Sequence, residues 1–295
     1  MFVDAIETAD RYTRAIHTIS RVWGSTAVLP GTASLFFVNA DGWALTCKHV
    51  ATQLVAANQL LTKFTAFKAE RDQLAQGLHH RRLVRELERK HGYSNGVPVE
   101  MYNSFFNCVD GPLNLEARVH GTFDVALLKF SNYNTLGATA FPVFAQDGGA
   151  LKQGKFLCRL GFPFPEFTNF EYDVNSDQIR WTTAGRIDTP RFPIEGMVTR
   201  HLVGPGGAVV GFELSTPGLR GQSGGPAFDR DGRVWGMQAA TNHLDLDFDV
   251  DVDVFRNGQR RHVSDSAFLH VGHCVHVDVL RTFMREHGVH FDEAA

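Results

Sequence analysis

The stretch STPGLRGQSGGPAFD, residues 215–229, decides how the rest of the chain is read. One serine, Ser223, stands in a run with Gly221, Gly224 and Gly225 that Pro226 closes. Such a run is either a flexible turn or a loop that holds a serine exposed for chemistry. A serine hydroxyl is a weak nucleophile at neutral pH, so the second reading needs a base on another element. It also needs donors aimed at a developing oxyanion. The backbone N–H groups of Gly221 and Ser223 supply them if the loop curls inward, and glycine at 221 and 224 leaves room for convergent amides.

With 14 histidines in the chain, the mere presence of a base means nothing. Most of them lie in charged helical or terminal segments. His49 differs: it follows the strand-like run WALTCK and opens the apolar stretch VATQLV. Asp124 stands between Phe123 and Val125 at the head of VALLKF. A buried carboxylate is costly unless paired, and a histidine N–H is a suitable partner.

Composition narrows the class. The 295 residues are 43% hydrophobic and 21% charged, as expected of a globular protein that buries one large core or two modest ones. A net charge of −3 gives no general attraction to nucleic acid or anionic membrane. No run of about 18 apolar residues predicts a membrane span. The N-terminus, with early acidic residues, does not read as a secretory signal. Cys47, Cys108, Cys158 and Cys274 are widely spaced in apolar contexts, which predicts buried free thiols and a cytoplasmic location.

Residues 3–22 carry Ile6, Ala9, Tyr12, Ile16 and Ile19 at helical spacing, which predicts an amphipathic helix within a lead-in of 1–30. GTASLFFVNADGWALTCKHV then reads as two strands joined by a turn at Asn39–Gly42. The segment 54–91 returns to helix, with Leu60, Phe64, Phe67, Leu74 and Leu78 as its stripe and a break near Gly77. Its basic end, HHRRLVRELERKH, is either a solvated face or a surface for an acidic partner. Short strand-like runs dominate from about 97 to 240, which argues for an all-β barrel or sandwich. LDLDFDVDVDVF (244–255) alternates strictly and places Asp245, Asp247, Asp249, Asp251 and Asp253 on one strand face. With Asn257-Gly258 as its turn, Asp253 falls opposite His262, near Arg260 and Arg261. This acidic hairpin is either an aggregation-resistant edge or a site for a basic partner or a cation. A helix is expected over about 278–287.

GTASLFFVNADGWALTCKHV, FDVALLKF and GQSGGPAFDRDGRVWGMQ, in that order, resemble the chymotrypsin-like or trypsin-like serine protease superfamily. The nearest resemblance is to bacterial trypsin-like and HtrA-type peptidases. It covers roughly 31–60 and 115–288. It implies an all-β protein of two six-stranded antiparallel barrels with added helices: the first at 31–145 with helical insert 54–91, the second at 146–276 with hairpin insert 242–270. A C-terminal helix and tail follow at 277–295. Ser223 is then the nucleophile, His49 its base and Asp124 the residue that orients His49, with Gly221 and Ser223 amides as the oxyanion hole. The implied activity is serine endopeptidase without a cofactor, cleaving a protein or peptide. The alternative is an idle protease-fold module that holds a partner.

The departures from the family also speak. Gln222 stands where secreted digestive members carry an Asp that pairs with a new N-terminus, so activation by N-terminal cleavage is not expected. No PDZ domain follows in these residues, so no peptide-tail sensor is expected. Insert 54–91 and hairpin 244–262 are candidate surfaces for a regulatory partner and candidate gates of the cleft. The fold implies a specificity pocket from Pro217, Gly218, Ala239, Ala240, Thr241, Cys274 and His276. With no acidic residue expected at its base, it suits small or apolar side chains, while His276 allows acidic or Gln ones. Strand alternation splits the His and Cys residues of HVGHCVH (270–276) across two faces, so no metal site is expected.

Overall fold

The computed structural model describes the chain apart from Leu78, Asn257 and Ala295, and apart from the side chains of Val250, Arg256, Asp265 and Ser266. The expected roles of Leu78 in the helical stripe and Asn257 in the turn therefore lie outside the described residues. The chain opens with α1 (Val3–Asp10) and passes directly into a ten-residue strand, β1 (Thr13–Val22). The helix expected across 3–22 thus ends at residue 10. Thr13, Ile16, Thr18 and Ile19 are β-branched, stiff at χ1 and suited to a pleated surface. Ile16 and Ile19, three apart, match a helical stripe, but in the strand they point to opposite faces, Ile16 into the main core and Ile19 into a separate cluster with Phe167 and Ile179. The first sheet therefore begins at residue 13, inside the segment expected to be lead-in.

β2 (Leu29–Phe37) and β3 (Trp43–Thr46) form the expected hairpin. Its turn is held by the Asn39 side chain, which accepts from the Asp41 and Trp43 amides at 3.0 and 3.4 Å. Then come α2 (Lys48–Asp72), α3 (His80–His91), β4 (Pro98–Ser104), β5 (Val109–Asp110), β6 (Asn114–Val119), β7 (Ala126–Ser131), β8 (Thr135–Leu136) and β9 (Val143–Ala145). Six of these strands make an antiparallel sheet in the order β4-β1-β2-β3-β7-β6. Among the described residues no ladder joins β4 to β6, so hydrogen bonds do not close this sheet into a ring.

The second half contains β10 (Phe156–Gly161), β11 (Phe170–Asp173), β12 (Gln178–Trp181), β13 (Phe192–Val203), β14 (Val209–Leu214), β15 (Pro226–Phe228), β16 (Arg233–Arg256), β17 (Gln259–His276), α4 (Val277–Glu286) and β18 (Asp292–Ala294). Here a ring does close. β15 pairs with both β10 and β16, which completes the six-stranded circuit β15-β10-β13-β14-β17-β16. β9 adds to this sheet by parallel pairing with β16, although it lies in the segment expected to belong to the first barrel. The acidic hairpin is the continuation of β16 and β17. Its alternation is interrupted by a register shift between Asp245 and Asp249, where Asp247 has φ 55° and its amide is held by Asp245 Oδ1 at 2.9 Å. The five aspartates therefore do not form one unbroken row.

Insert 54–91 is part of the packed body. Phe64, Phe67, Leu87, Tyr93 and Val99 form a separate apolar cluster on which Trp23 packs. Rings of Trp23 and Tyr93 stack at 5.1 Å. Arg71 also reaches Asp177 in the β11–β12 turn at 2.7 Å, so the insert ties the two halves together.

His17 on β1 stacks on Phe167 at 4.4 Å and is 2% exposed. Burial pushes its imidazole down to about 4, against the opposing pull of Asp188. The unfolded chain then binds the proton first, near pH 6.5. Stability is expected to fall as pH drops from about 6.5 toward the folded value, by ~3 kcal/mol in all. Urea midpoints at pH 7 and pH 4.5 check this, and His17→Phe should flatten the slope.

Candidate active site

α2 begins immediately after β3, with Cys47 as its N-cap in extended conformation, so His49 sits in the helix's first turn. First-turn amides have no partner within the helix. The His49 amide uses this freedom to donate to Asp124 Oδ1 at 3.0 Å. The His49 ring lies with Nδ1 2.8 Å from Asp124 Oδ2. Asp124 comes from the neighbouring strand of the same sheet, two residues before β7, which pairs with β3 in antiparallel register. Burial alone would raise the Asp124 carboxyl, but the ring and backbone hydrogen bonds from His49 outweigh it and hold the group below its usual range.

The Ser223 loop belongs to the second half but is docked on the first. The Ser223 carbonyl accepts from the Ser34 amide of β2 at 2.9 Å. Gln238 O of β16 accepts from both the Gly224 amide at 2.9 Å and Cys47 Sγ at 3.3 Å. One carbonyl therefore ties the serine loop to the residue that starts the His49 helix. Two glycines are required for this approach. Gly224 has φ +89°, and a Cβ there would meet Ser34 O at 2.1 Å. Gly221 has φ +95°, and a Cβ would meet Phe162 O at 2.4 Å. Both serve close docking as much as the amide nest for which the sequence suggested them.

Among the described residues no hydrogen bond is found from the Gly221 or Ser223 amide; Gly221 is buried and Ser223 half-buried. The Ser223 hydroxyl donates to Ala239 O at 3.3 Å, and among the described residues no hydrogen bond joins it to His49. Gln222 is fully buried. Its Oε1 accepts from Leu219 N at 3.0 Å and its Nε2 donates to Phe192 O at 3.1 Å, which braces the loop with an uncharged strut. Gln222→Ala removes this buried strut and the partner of two part-buried backbone groups, an expected cost of about 1–2 kcal/mol. Urea unfolding measures it.

A cavity of about 470 Å³ opens beside Ser223. Of the residues expected to wall the specificity pocket, Pro217, Gly218, Ala239, Ala240 and Thr241 surround it. Cys274 and His276 do not. Cys274 is buried behind the wall with Sγ 3.6 Å from Gln238 Oε1. His276 is the N-cap of α4, its Nδ1 accepting from Asp278 N at 3.3 Å. Strand pairing explains the difference, since the last residues of β17 lie inside the closed ring. The cavity instead gains Leu219, Arg220, Gln238, His243 and His270, which the sequence did not single out.

Cys47, His49 and Asp124 offer ligand atoms within 4.8 Å of one another, a donor set of metal-binding types. Burial, and then the charge of Asp124, push the Cys47 thiol far up, so it stays protonated. A neutral thiol bonded to a carbonyl and a ring nitrogen bonded to a carboxylate form a hydrogen-bonded cluster rather than a ligand set.

The family model for the trypsin-like peptidase domain matches residues 31–237. A search of curated proteins finds no match. Among solved structures, an HtrA-type protease with a tripeptide aligns at a TM-score of 0.48 and 12% identity, over 98% of this chain. The chain spans 65% of that protein's length.

Proposed function

The chain belongs to the trypsin-like peptidase domain family, and we propose that it is a serine endopeptidase acting through Ser223, His49 and Asp124. The observation that carries this reading is the His49–Asp124 pair, 2.8 Å apart, fixed beside the serine loop through the shared Gln238 carbonyl. The Ser223 hydroxyl turns from Ala239 O toward His49 Nε2 and attacks the scissile carbonyl carbon, giving its proton to the imidazole. Asp124 holds the ring with Nε2 free and supports the imidazolium. The Gly221 and Ser223 amides receive the oxyanion. Collapse of the tetrahedral intermediate breaks the C–N bond, and His49 returns the proton to the leaving amine. Water, activated by the same imidazole, then releases the acyl group from Ser223.

All four cysteines are buried and unpaired, which supports action in a reducing compartment such as the cytoplasm. The exposed hairpin at 244–262 and the basic face of α3 are the surfaces we propose for a regulatory partner. The Ser223–Ala239 hydrogen bond also favours a second reading, a resting or idle module that holds its partner without cutting it. A fluorophosphonate probe decides between them. The endopeptidase labels in the wild type and not as Ser223→Ala, whereas absence of labelling and of peptide cleavage in every condition sinks it.

A further inference from the structure

We propose that the cavity beside Ser223 selects an acidic side chain, Asp or Glu, on the residue N-terminal to the cut. This rests on the endopeptidase reading and adds the substrate class to it. None of the cavity's lining residues is acidic, while Arg220, His243 and His270 bring basic groups to it. Arg220 is exposed and makes no ion pair among the described residues. The Nδ1 atoms of His243 and His270 lie 2.6 Å apart, so one ring donates to the other at the base of the hairpin.

The strongest positive group lies one layer deeper. Arg159 on β10 has no exposed surface. Its Nη1 donates to Gln238 Oε1 at 2.6 Å, and its Nη2 donates to Thr216 O and Pro217 O at 3.0 and 3.1 Å. Pro217 and Gln238 are themselves cavity wall, so a single layer of neutral groups separates the guanidinium from an occupant. Its Nε has no partner, and among the described residues no carboxylate pairs with it. A β17 side chain at 272 would collide with it, since a Cβ on Gly272 would lie 2.0 Å from Nη1. Glu213 on β14 faces the neighbouring strands, but Arg200 neutralises it through two hydrogen bonds of 2.8 Å.

A buried cation held by carbonyls and the Thr216 hydroxyl, with no carboxylate beside it, retains an unsatisfied field, and a substrate carboxylate entering the cavity is the group that answers it. Lys and Arg side chains meet repulsion there. Apolar ones gain contact without charge complementarity. Thr241 Oγ1 donates to Gly218 O across the cavity at 2.6 Å, which limits depth and suits the short acidic residues. The small or apolar preference expected from the sequence overlooked Arg159, which lies far upstream of the serine loop.

The test uses two arms. In the first, kcat/KM is measured for peptide anilides that differ only in the residue before the cut: Asp, Asn, Glu, Gln, Leu and Lys. The acidic members should exceed their amide isosteres on the order of 10- to 100-fold. In the second, calorimetry follows product peptides ending in Glu or Gln as they bind Ser223→Ala, a readout independent of turnover. Arg159→Met should bring both ratios toward one, and Arg159→Lys should retain part of them. Since Arg159→Met removes a buried strut, Arg220→Ala, a surface change, provides a second test and should lower the ratios several-fold. Equal binding of the Glu and Gln peptides, or a preference for Leu or Lys, overturns the proposal. Failure of probe labelling and of all cleavage, with selective binding retained, overturns the endopeptidase reading alone.

Discussion

Peptide hydrolysis is expected to fall by about 10⁶-fold in Ser223→Ala and in His49→Ala, and by about 10⁴-fold in Asp124→Asn. The first two losses are of similar size because the hydroxyl and the imidazole act as one unit, so the double variant should lose little more. Asp124→Asn acts differently. The carboxylate accepts from the His49 backbone amide through Oδ1 and faces ring Nδ1 through Oδ2. An asparagine must present its NH₂ group to one of these two. If it keeps its oxygen for the backbone amide, its NH₂ donates to Nδ1. That fixes the proton on Nε2, where it cannot accept from Ser223. The fold should be retained, because an amide of the same shape can keep both hydrogen bonds to His49, one to the backbone amide and one to the ring. Steady-state kinetics together with unchanged thermal unfolding would separate this loss from misfolding. A Ser223→Ala protein within tenfold of the wild type would rule out the assignment.

The His49–Asp124 pair and the docked Ser223 loop were legible because each sits in a local pattern: a strand end before His49, the head of an apolar strand for Asp124, a glycine-lined loop for Ser223. The residues around them were not. Arg159 lies in an apolar-looking strand, KFLCRLGF, and acquires meaning only when β10 is paired with β15 and β13. His243 and His270, 27 positions apart, meet only because the register shift between Asp245 and Asp249 brings them opposite each other, which no periodicity reveals. Cys47 looked like one more buried thiol, yet it holds the start of the His49 helix to Gln238. The misreading of β1 has the same origin. Apolar residues three apart match a helical stripe, yet a strand buried on both faces presents them as well, Ile16 to one core cluster and Ile19 to another. The interrupted acidic row shows the converse, since strict alternation did not announce the turn that Asp245 makes with the Asp247 amide.

Arg21→Met is expected to cost about 3–5 kcal/mol of stability. Arg21 on β1 is 4% exposed and Glu100 on β4 is fully buried, with Nε to Oε2 at 2.6 Å. The same guanidinium reaches Asp177 at 3.1 Å, and Arg71 of the insert holds the other oxygen at 2.7 Å. Two neighbouring strands, β1 and β4, the insert and the β11–β12 turn of the second half thus meet on four charged groups. Phe64 and Tyr172 lie with ring centroids 5.2 and 5.0 Å from Arg21, so water does not replace it readily. Removing the cation leaves Glu100 charged in an apolar site. Burial already pushes the Glu100 carboxyl up, and Arg21 is the chief group opposing that rise. In the variant the folded state holds its proton more tightly than the unfolded chain. The variant's deficit should therefore shrink as pH falls and grow as pH rises through the carboxyl's range. Glu100→Leu added to Arg21→Met should recover most of the loss, because two neutral groups of similar volume no longer leave a charge unpaired. Urea midpoints for the wild type, both single variants and the double variant at two pH values complete the cycle. A loss below 1 kcal/mol for Arg21→Met would mean that the halves are held together elsewhere.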